Sequence, residues 1–472
     1  MNAPAPSPAR HLELVDPATG HGCGTVVCTT DAEIDTVIRR AAHVQVDWAQ
    51  RPIDERAAVV RRLGGLIEQH AQELAELDSR QSGRPVTELA EGDLPASVDA
   101  LRWFAGAASA AVGTVFSDGP SHLSYAVRRP LGVGAAVLPF NFPLAMAVWK
   151  TGPALLAGNA LVLKPSVQTS GTAQRLVELA EQAGAPAGLL AVVVGDGDVG
   201  SSLVGHPQIA AVSFTGSVAV GREVLATCAH GALPRVSLEM GGKAAHLVLP
   251  DALSLGDRLL DGLVEAGFLA AGQNCTAGSR ILVHESIADE LVERLVARVR
   301  GLVVGDPADP STQMGPLITE ASLVRVEALV SRALHDGAEA RTGGARVPGA
   351  GGWYYAPTVL TGVPADHEIE QTEVFGPVVT VSTVRDVDEA VARANDTPYG
   401  LAAAVWTRDL SSAHTVARRL RAGLVSVNAY SEGDIRTPFG GLGLSGFGAP
   451  EKSAAAFDQW QSRGSVWLDL AG

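Results

Sequence analysis

Cysteine is scarce in this chain. There are four among 472 residues, Cys23, Cys28, Cys228 and Cys275. That is too few for a disulfide framework and suits a reducing, cytoplasmic setting. Four residues separate Cys23 from Cys28, and no second cysteine or histidine pair accompanies them, so no metal site is expected there. Positive charge is also short. Against 51 Asp and Glu there are 36 Lys and Arg, a net charge of −15, which argues against nucleic acid or a membrane surface as partner. No run of 18 apolar residues lacks charge or turn residues, so no transmembrane helix is expected. Met1 to Arg10 has no apolar core of the signal-peptide kind and reads as a disordered tail. Repeats and low-complexity segments are missing after residue 10.

Hydrophobic residues make up 46% of the chain, enough for a globular core, and the length implies two or three domains. Leu12 to Thr29 reads as short strands. Thr30 to Glu33 is a capping box that opens a helix over Ile34, Ile38 and Ala41. A single long helix is expected from Ile53 to Gln81, stopped by Gly83, and another from Leu94 to Ala111. Ser121 to Arg129 reads as an edge strand or arm. From Gly132 onward strands and helices alternate. Val133–Leu138, Ala160–Leu163, Leu190–Val194 and Ala210–Phe214 are apolar runs, each ending in a loop before a helix. A helix is expected over Pro143–Leu156. This order predicts an α/β fold with a parallel, doubly wound sheet that binds ligand beyond the carboxyl ends of its strands. A second α/β block runs from Ala244 to Val427, with strands at Ala245–Leu249, Ile281–His284, Val378–Thr383, Ala402–Trp406 and Leu424–Val427. Ser465–Leu468 is a tail strand that could pair with the arm near Tyr125.

Several stretches carry candidate chemistry. Cys275 sits among small residues between a helix and a strand. That setting fits an exposed nucleophile, and equally a buried structural thiol. Glu239 stands between Leu238 and Met240 beside paired glycines. A carboxylate in semi-apolar surroundings titrates towards neutrality, which suits a general base. Asn141 lies between Phe140 and Phe142, flanked by Pro139 and Pro143. Its amide could serve an oxyanion hole or form an Asx turn. Gly216 and Ser217 open a helix after strand residue Phe214, where free N–H groups favour a pyrophosphate, though a plain turn fits as well. Lys164 ends another strand and is either a ribose or phosphate donor or a solvated lysine.

In order along the chain, seven motifs resemble those of the NAD(P)-dependent aldehyde dehydrogenases: Pro139-Phe140-Asn141-Phe142-Pro143, Lys164-Pro165-Ser166, Phe214-Thr215-Gly216-Ser217, Leu238-Glu239-Met240-Gly241-Gly242-Lys243, Gly272-Gln273-Asn274-Cys275, Glu373-Val374-Phe375-Gly376-Pro377 and Pro438-Phe439-Gly440-Gly441. The resemblance spans about Leu14 to Trp460. It implies oxidation of an aldehyde to the acid with NAD or NADP. Cys275 would be the nucleophile and Glu239 the base that activates water. The Asn141 amide and the Cys275 N–H would form the oxyanion hole, and Lys150 would belong to a proton path. Lys164 would bind the adenosine ribose, Ser217 the pyrophosphate and Glu373 the nicotinamide ribose. The same resemblance places Leu138, Pro139, Phe140, Ser166 and Val167 along the cofactor, with Gly197, Phe214, Gly216, Met240, Gly241 and Phe375. Phe142, Trp149, Leu269, Asn274, Tyr430 and Phe439 fall at substrate positions. No metal is implied.

The domain division this predicts is a dinucleotide-binding domain of 1–112, 131–240 and 444–457, a catalytic domain of 241–443, and an oligomerisation arm of 113–130 and 458–472. A homodimer or homotetramer is implied. Three departures stand out. Val167 replaces a glutamate that bonds the ribose hydroxyls, which leaves NADP use open. Gly443 stands where the family often has lysine. Gly448-Ala449-Pro450-Glu451 replaces a Gly-Arg-acid motif, so Glu451 is either a one-residue-shifted substitute or the proton path differs. The loop Asn428–Pro438 resembles the branch acting on γ-glutamyl-aminobutyraldehyde. There Glu432 and Asp434 could favour a cationic aldehyde, although Arg436 lies beside them, and the aromatic positions suit an apolar one. Two other readings are a coenzyme A-acylating variant, disfavoured by Glu239, and a non-catalytic relative, disfavoured by the intact Cys275, Glu239 and Asn141.

Overall fold

The computed structural model describes residues 10–110, 113–116, 121–431 and 433–470. Two largely parallel sheets form the body. One has six strands in the order Gly446–Phe447, Arg235–Glu239, Ile209–Thr215, Val133–Val137, Ala160–Lys164 and Leu190–Val192. Only its edge strand Gly446–Phe447 runs antiparallel. The other has seven, ordered Glu339–Thr342, Thr358–Thr361, Val378–Val384, Arg280–His284, Ala245–Val248, Ala402–Trp406 and Leu424–Val427. There the outermost Glu339–Thr342 is the antiparallel member. Every residue of Ala160–Lys164 and Ala245–Val248 is buried, as continuous apolar strands flanked by helices must be.

Helix Pro143–Leu156 is buried along its whole length. It packs on helices Ile53–Gln69 and Leu94–Ala107, and it carries Lys150 through the core. Proline at its first turn presets the backbone for helix entry. The arm is a three-stranded antiparallel sheet in which Gln461–Asp469 pairs with His122–Pro130, and Val466 faces Tyr125. Thr114–Phe116 adds the third strand.

Three expected elements differ. The single helix from Ile53 to Gln81 is two helices, Ile53–Gln69 and Ala71–Ser82, broken where His70 leaves helical geometry at φ −103°, ψ 19°. The His70 ring turns to Glu73 at 2.7 Å in the first turn of the next helix. The third helix ends at Ala107 and passes into the turn Ala108–Ala110; Ala111 lies outside the described residues, as does the tail up to residue 9. The strand expected at Leu190–Val194 stops at Val192, since the Val194 N–H goes to Thr29 Oγ1 at 2.9 Å. Among the described residues, no helix is long and apolar enough to cross a membrane.

Candidate active site

Cys275 is reached through an unusual piece of backbone. After helix Asp257–Phe268, Ala270 (φ 51°), Ala271 (φ 55°) and Gly272 (φ 69°) are all left-handed. An L-residue pays roughly 1–2 kcal/mol for that conformation, so neighbours must hold it. The Gln273 side chain does so at both ends, accepting from the Ile318 N–H at 2.9 Å and donating to Ala270 O at 3.2 Å. A Cβ on Gly272 would overlap the Gly376 carbonyl, so the close approach there needs glycine.

The half-buried Cys275 opens onto a cleft of about 520 Å³. The cleft spans the carboxyl ends of four strands, where Val137, Lys164, Thr215 and Glu239 sit. This is the position an open α/β sheet offers to ligands. The Asn141 amide, itself buried, donates to Gln273 O at 2.8 Å, so it is tied to the cysteine loop. The Asn141 carbonyl accepts from Arg84 at 3.0 Å. The same guanidinium lies 4.4 Å from the centre of the Phe142 ring and pairs with Glu88 and Asp93.

Glu239 ends strand Arg235–Glu239 and is buried. Burial pushes its carboxyl well above the usual carboxylate range, and the charge of Glu451 adds to that. Lys150 and a 3.2 Å hydrogen bond from the Gly441 N–H oppose it. Behind it the fully buried Lys150 ammonium pairs with Glu451 and donates to Ser213 Oγ at 2.9 Å. The second oxygen of Glu451 is buried and has no hydrogen-bond partner among the described residues. Glu451 therefore brings a carboxylate to Lys150.

At the other end of the cleft, the Lys164 ammonium is buried and has no hydrogen bond or ion pair among the described residues. Desolvation pulls its pKa down, against the opposing charge of Asp196. Ser217 caps helix Val218–His230 through its Oγ, which accepts from the Val220 N–H at 3.3 Å. Glu373 accepts from the Gly242 N–H at 2.9 Å, and burial pushes its carboxyl up to about 7. A Cβ on Gly241 would strike that carboxyl. Val167 starts a short turn on the cleft wall.

All the cofactor candidates line this cleft, from Leu138, Pro139 and Phe140 through Ser166, Val167 and Gly197 to Met240 and Phe375. Cys275, Glu239 and Asn141 line it too, together with Phe142, Trp149 and Phe439. Leu269, Asn274 and Tyr430 do not. Leu269 faces a separate cleft of about 900 Å³. Asn274 is buried, and its amide donates to the Tyr430 hydroxyl. Asp434 is exposed and paired with Arg436 at 2.7 Å, while Glu432 lies outside the described residues. Sequence reasoning missed Met146 and Arg325 on the cleft wall, and Arg84 and Lys452 behind it. The Lys452 ammonium lies 4.2 Å from the Trp149 ring centre and 5.1 Å from that of Phe439. The only local hint of Arg84 was its place between Gly83 and Pro85.

The family model described as "Aldehyde dehydrogenase family" matches residues 5–466. An aminoacetaldehyde dehydrogenase of Pseudomonas aeruginosa is 41% identical over 465 residues, 98% of this chain and 93% of that one. Among solved structures, an aldehyde dehydrogenase from Bacillus cereus in complex with NAD+ is 34% identical with a TM-score of 0.94, covering 98% of this chain and 94% of its own. An indole-3-acetaldehyde dehydrogenase in complex with NAD+ is 38% identical with a TM-score of 0.95, covering 98% and 93%. The chain belongs to the aldehyde dehydrogenase family.

Proposed function

We propose that this chain oxidises an aldehyde to its carboxylate at Cys275, with Glu239 as the water-activating base. The observation that carries the proposal is the convergence of Cys275, Asn141 and a buried Glu239, its carboxyl pushed up by burial, on one cleft. The Cys275 thiolate attacks the carbonyl carbon. The alkoxide then accepts hydrogen bonds from the Asn141 amide and the Cys275 N–H, donors suited to charge that develops in the transition state. A dinucleotide fits the far end of the cleft. The unpartnered buried ammonium of Lys164 suits a ribose hydroxyl or phosphate, Ser217 stands at a helix N-terminus, and Glu373 suits a second ribose. The chemistry a bound nicotinamide dinucleotide supplies is acceptance of a hydride from the carbon attached to sulfur, after which Cys275 carries an acyl thioester. Glu239 takes a proton from water, the hydroxide attacks the thioester, and the acid leaves as the thiolate returns. Lys150 and Glu451 are placed to pass the proton on from Glu239.

Val167 offers no carboxylate to ribose hydroxyls and no repulsion to a 2′-phosphate, so the cofactor is NAD or NADP, with weak discrimination between them. Phe142, Trp149, Met146 and Phe439 give the substrate end apolar walls, which favours apolar or aromatic aldehydes. The Asp434–Arg436 pair weakens the case for a cationic one. Exposed Val115, Phe116, Trp467 and Leu468 on the arm support assembly with further copies of the chain as a homodimer or homotetramer. The division into a dinucleotide-binding domain around the six-stranded sheet, a catalytic domain around the seven-stranded one and an arm follows the same reading. Reduced thiols suit the cytoplasm.

The test is reduced-cofactor formation from a panel of aliphatic, aromatic and amino aldehydes, aminoacetaldehyde among them, with both dinucleotides. Cys275→Ala should abolish turnover, and Glu239→Gln should give one burst of reduced cofactor and then stop. Full activity of Cys275→Ala would refute the covalent route.

A further inference from the structure

One ion cluster touches both loops that meet at Cys275. Arg84 is buried, and every N–H of its guanidinium has an acceptor. Nη1 donates to Asn141 O at 3.0 Å, Nε to Glu88 at 2.7 Å and Nη2 to Asp93 at 2.9 Å. The same plane lies 4.4 Å from the centre of the Phe142 ring. Glu88 then reaches the other loop. Its second oxygen accepts from the Ala270 N–H at 3.4 Å, and Ala270 is the first left-handed residue on the way to Cys275.

Such a cluster contributes little to stability by itself, because desolvation offsets the attraction. What it supplies is direction. A planar fork bonded at every donor cannot turn. Its backbone is tied down as well: Arg84 O accepts from Ser79 Oγ at 2.7 Å, and the Val86 N–H reaches Pro307 O at 2.9 Å. Asn141 is held from two ends. Its Nδ2 donates one hydrogen to Gln273 O at 2.8 Å. That bond alone is a pivot: it places the nitrogen and leaves the direction of the second N–H to the backbone behind it. Among the described residues, Arg84 is the one donor to the Asn141 carbonyl, and so it sets that backbone. The helix beyond does not depend on Arg84. It is buried along its length and starts its own ladder with the Met146 N–H on Phe142 O at 3.0 Å.

We propose that Arg84, held by Glu88 and Asp93, is a positioning residue for the oxyanion hole and acts through Asn141. It fixes the Asn141 backbone so that the second Nδ2 hydrogen and the Cys275 N–H meet at one aldehyde oxygen. The inference rests on the proposed roles of Cys275 and Asn141. It gives Arg84 no contact with substrate or cofactor.

Arg84→Lys keeps a cation beside Glu88 and Asp93 but loses the fork, and one ammonium cannot serve both carboxylates and the Asn141 carbonyl in the same plane. The readout is the single-turnover rate of reduced-cofactor formation, with enzyme in excess over aldehyde, and dinucleotide binding is followed alongside by fluorescence. The rate should fall about 10- to 100-fold in Arg84→Lys, the cost of a misplaced reacting group, while dinucleotide binding stays within about twofold. Asn141→Ala should fall about 100- to 1,000-fold, the cost of one oxyanion donor. In the Asn141→Ala background, Arg84→Lys should slow the step no further, because no amide is left to place. A residue that only supports the fold would slow both backgrounds alike. An unmoved rate in Arg84→Lys, or an equal fall in both backgrounds, would overturn the inference. Should Arg84→Lys fail to fold, Glu88→Ala leaves Arg84 paired with Asp93 and loosens the same fork; it should slow the step, and an unmoved rate there would overturn the inference. Asn141→Ala that keeps the full rate would overturn the oxyanion assignment and the inference with it. A slow Asn141→Ala beside an unmoved Arg84→Lys would overturn the inference alone.

Discussion

Glu451→Gln separates the two effects of the buried Lys150–Glu451 pair. Its first effect is on stability. The amide oxygen can still accept from Lys150, beside Ser213, but it no longer neutralises the ammonium, which stays fully buried. Breaking a buried ion pair from one side costs about 3–5 kcal/mol, since the surviving charge is desolvated and unmatched. Replacing both partners with apolar groups, as in Lys150→Met with Glu451→Leu, removes both charges and should recover most of that loss. The second effect is on Glu239. The Glu451 charge helps raise the Glu239 carboxyl, and Lys150 opposes it. With Glu451 neutral, the Lys150 cation acts on Glu239 unopposed, and the carboxyl should titrate lower. Only deprotonated Glu239 can take a proton from water, so thioester hydrolysis rises with pH through its pKa. The acidic limb of that rise should therefore move to lower pH in Glu451→Gln. Single-turnover hydrolysis of the acyl-enzyme across pH gives the limb, and urea-unfolding midpoints at fixed protein concentration give the stability. A limb that stays in place or moves up would refute the electrostatic argument. A double variant as unstable as Glu451→Gln would refute the desolvation argument.

Three other expectations follow from the cleft. Val167→Glu should raise the NAD over NADP preference in kcat/KM at least about tenfold, since it restores a ribose acceptor and repels the 2′-phosphate; the unaltered chain should discriminate less than that. Lys164→Ala should weaken dinucleotide binding by about 1.5–3 kcal/mol, the range for a hydrogen bond to a charged group, with kcat at saturating cofactor changed less than about twofold; a fluorescence titration reads this without aldehyde. Gly241→Ala should push the Glu373 carboxyl aside and raise the KM for the dinucleotide while leaving Cys275 alkylation by iodoacetamide unchanged.

The parts of the fold with short-range signals were legible in the sequence. Helix Pro143–Leu156 has a proline at its start and Gly158 just past its end, and its limits match the expected ones. Strands Ala402–Trp406 and Leu424–Val427 likewise stand out as apolar runs between helices. The break at His70 was hidden, because no proline or glycine marks it and it rests on a side-chain contact with Glu73. The site divided in the same way. Cys275, Glu239 and Asn141 sit in motifs with their own local character, and they do meet at one cleft. Arg84, Ser213 and Lys452 carry no such mark. Their importance comes from partners elsewhere in the chain: Arg84 meets Asn141 and Phe142, Ser213 meets Lys150, and Lys452 meets Trp149 and Phe439. Tyr430 was legible as an aromatic near the site but not as the partner of Asn274, because hydrogen-bond direction depends on three-dimensional placement.

The aromatic walls of the substrate end have a second face that matters for redesign. Behind Phe142 stands the Arg84 guanidinium, and behind Trp149 and Phe439 stands the Lys452 ammonium. Each ring is the outer skin of a buried cation. Trimming a ring to admit a bulkier aldehyde would therefore do more than add room: it would uncover a charged side chain and its partners. Shaving Phe142 to alanine should expose Arg84 together with Glu88 and Asp93 and turn an apolar wall into a polar one. Widening the channel for neutral substrates would call for changes at Met146, which lines the same cleft without being one of these rings.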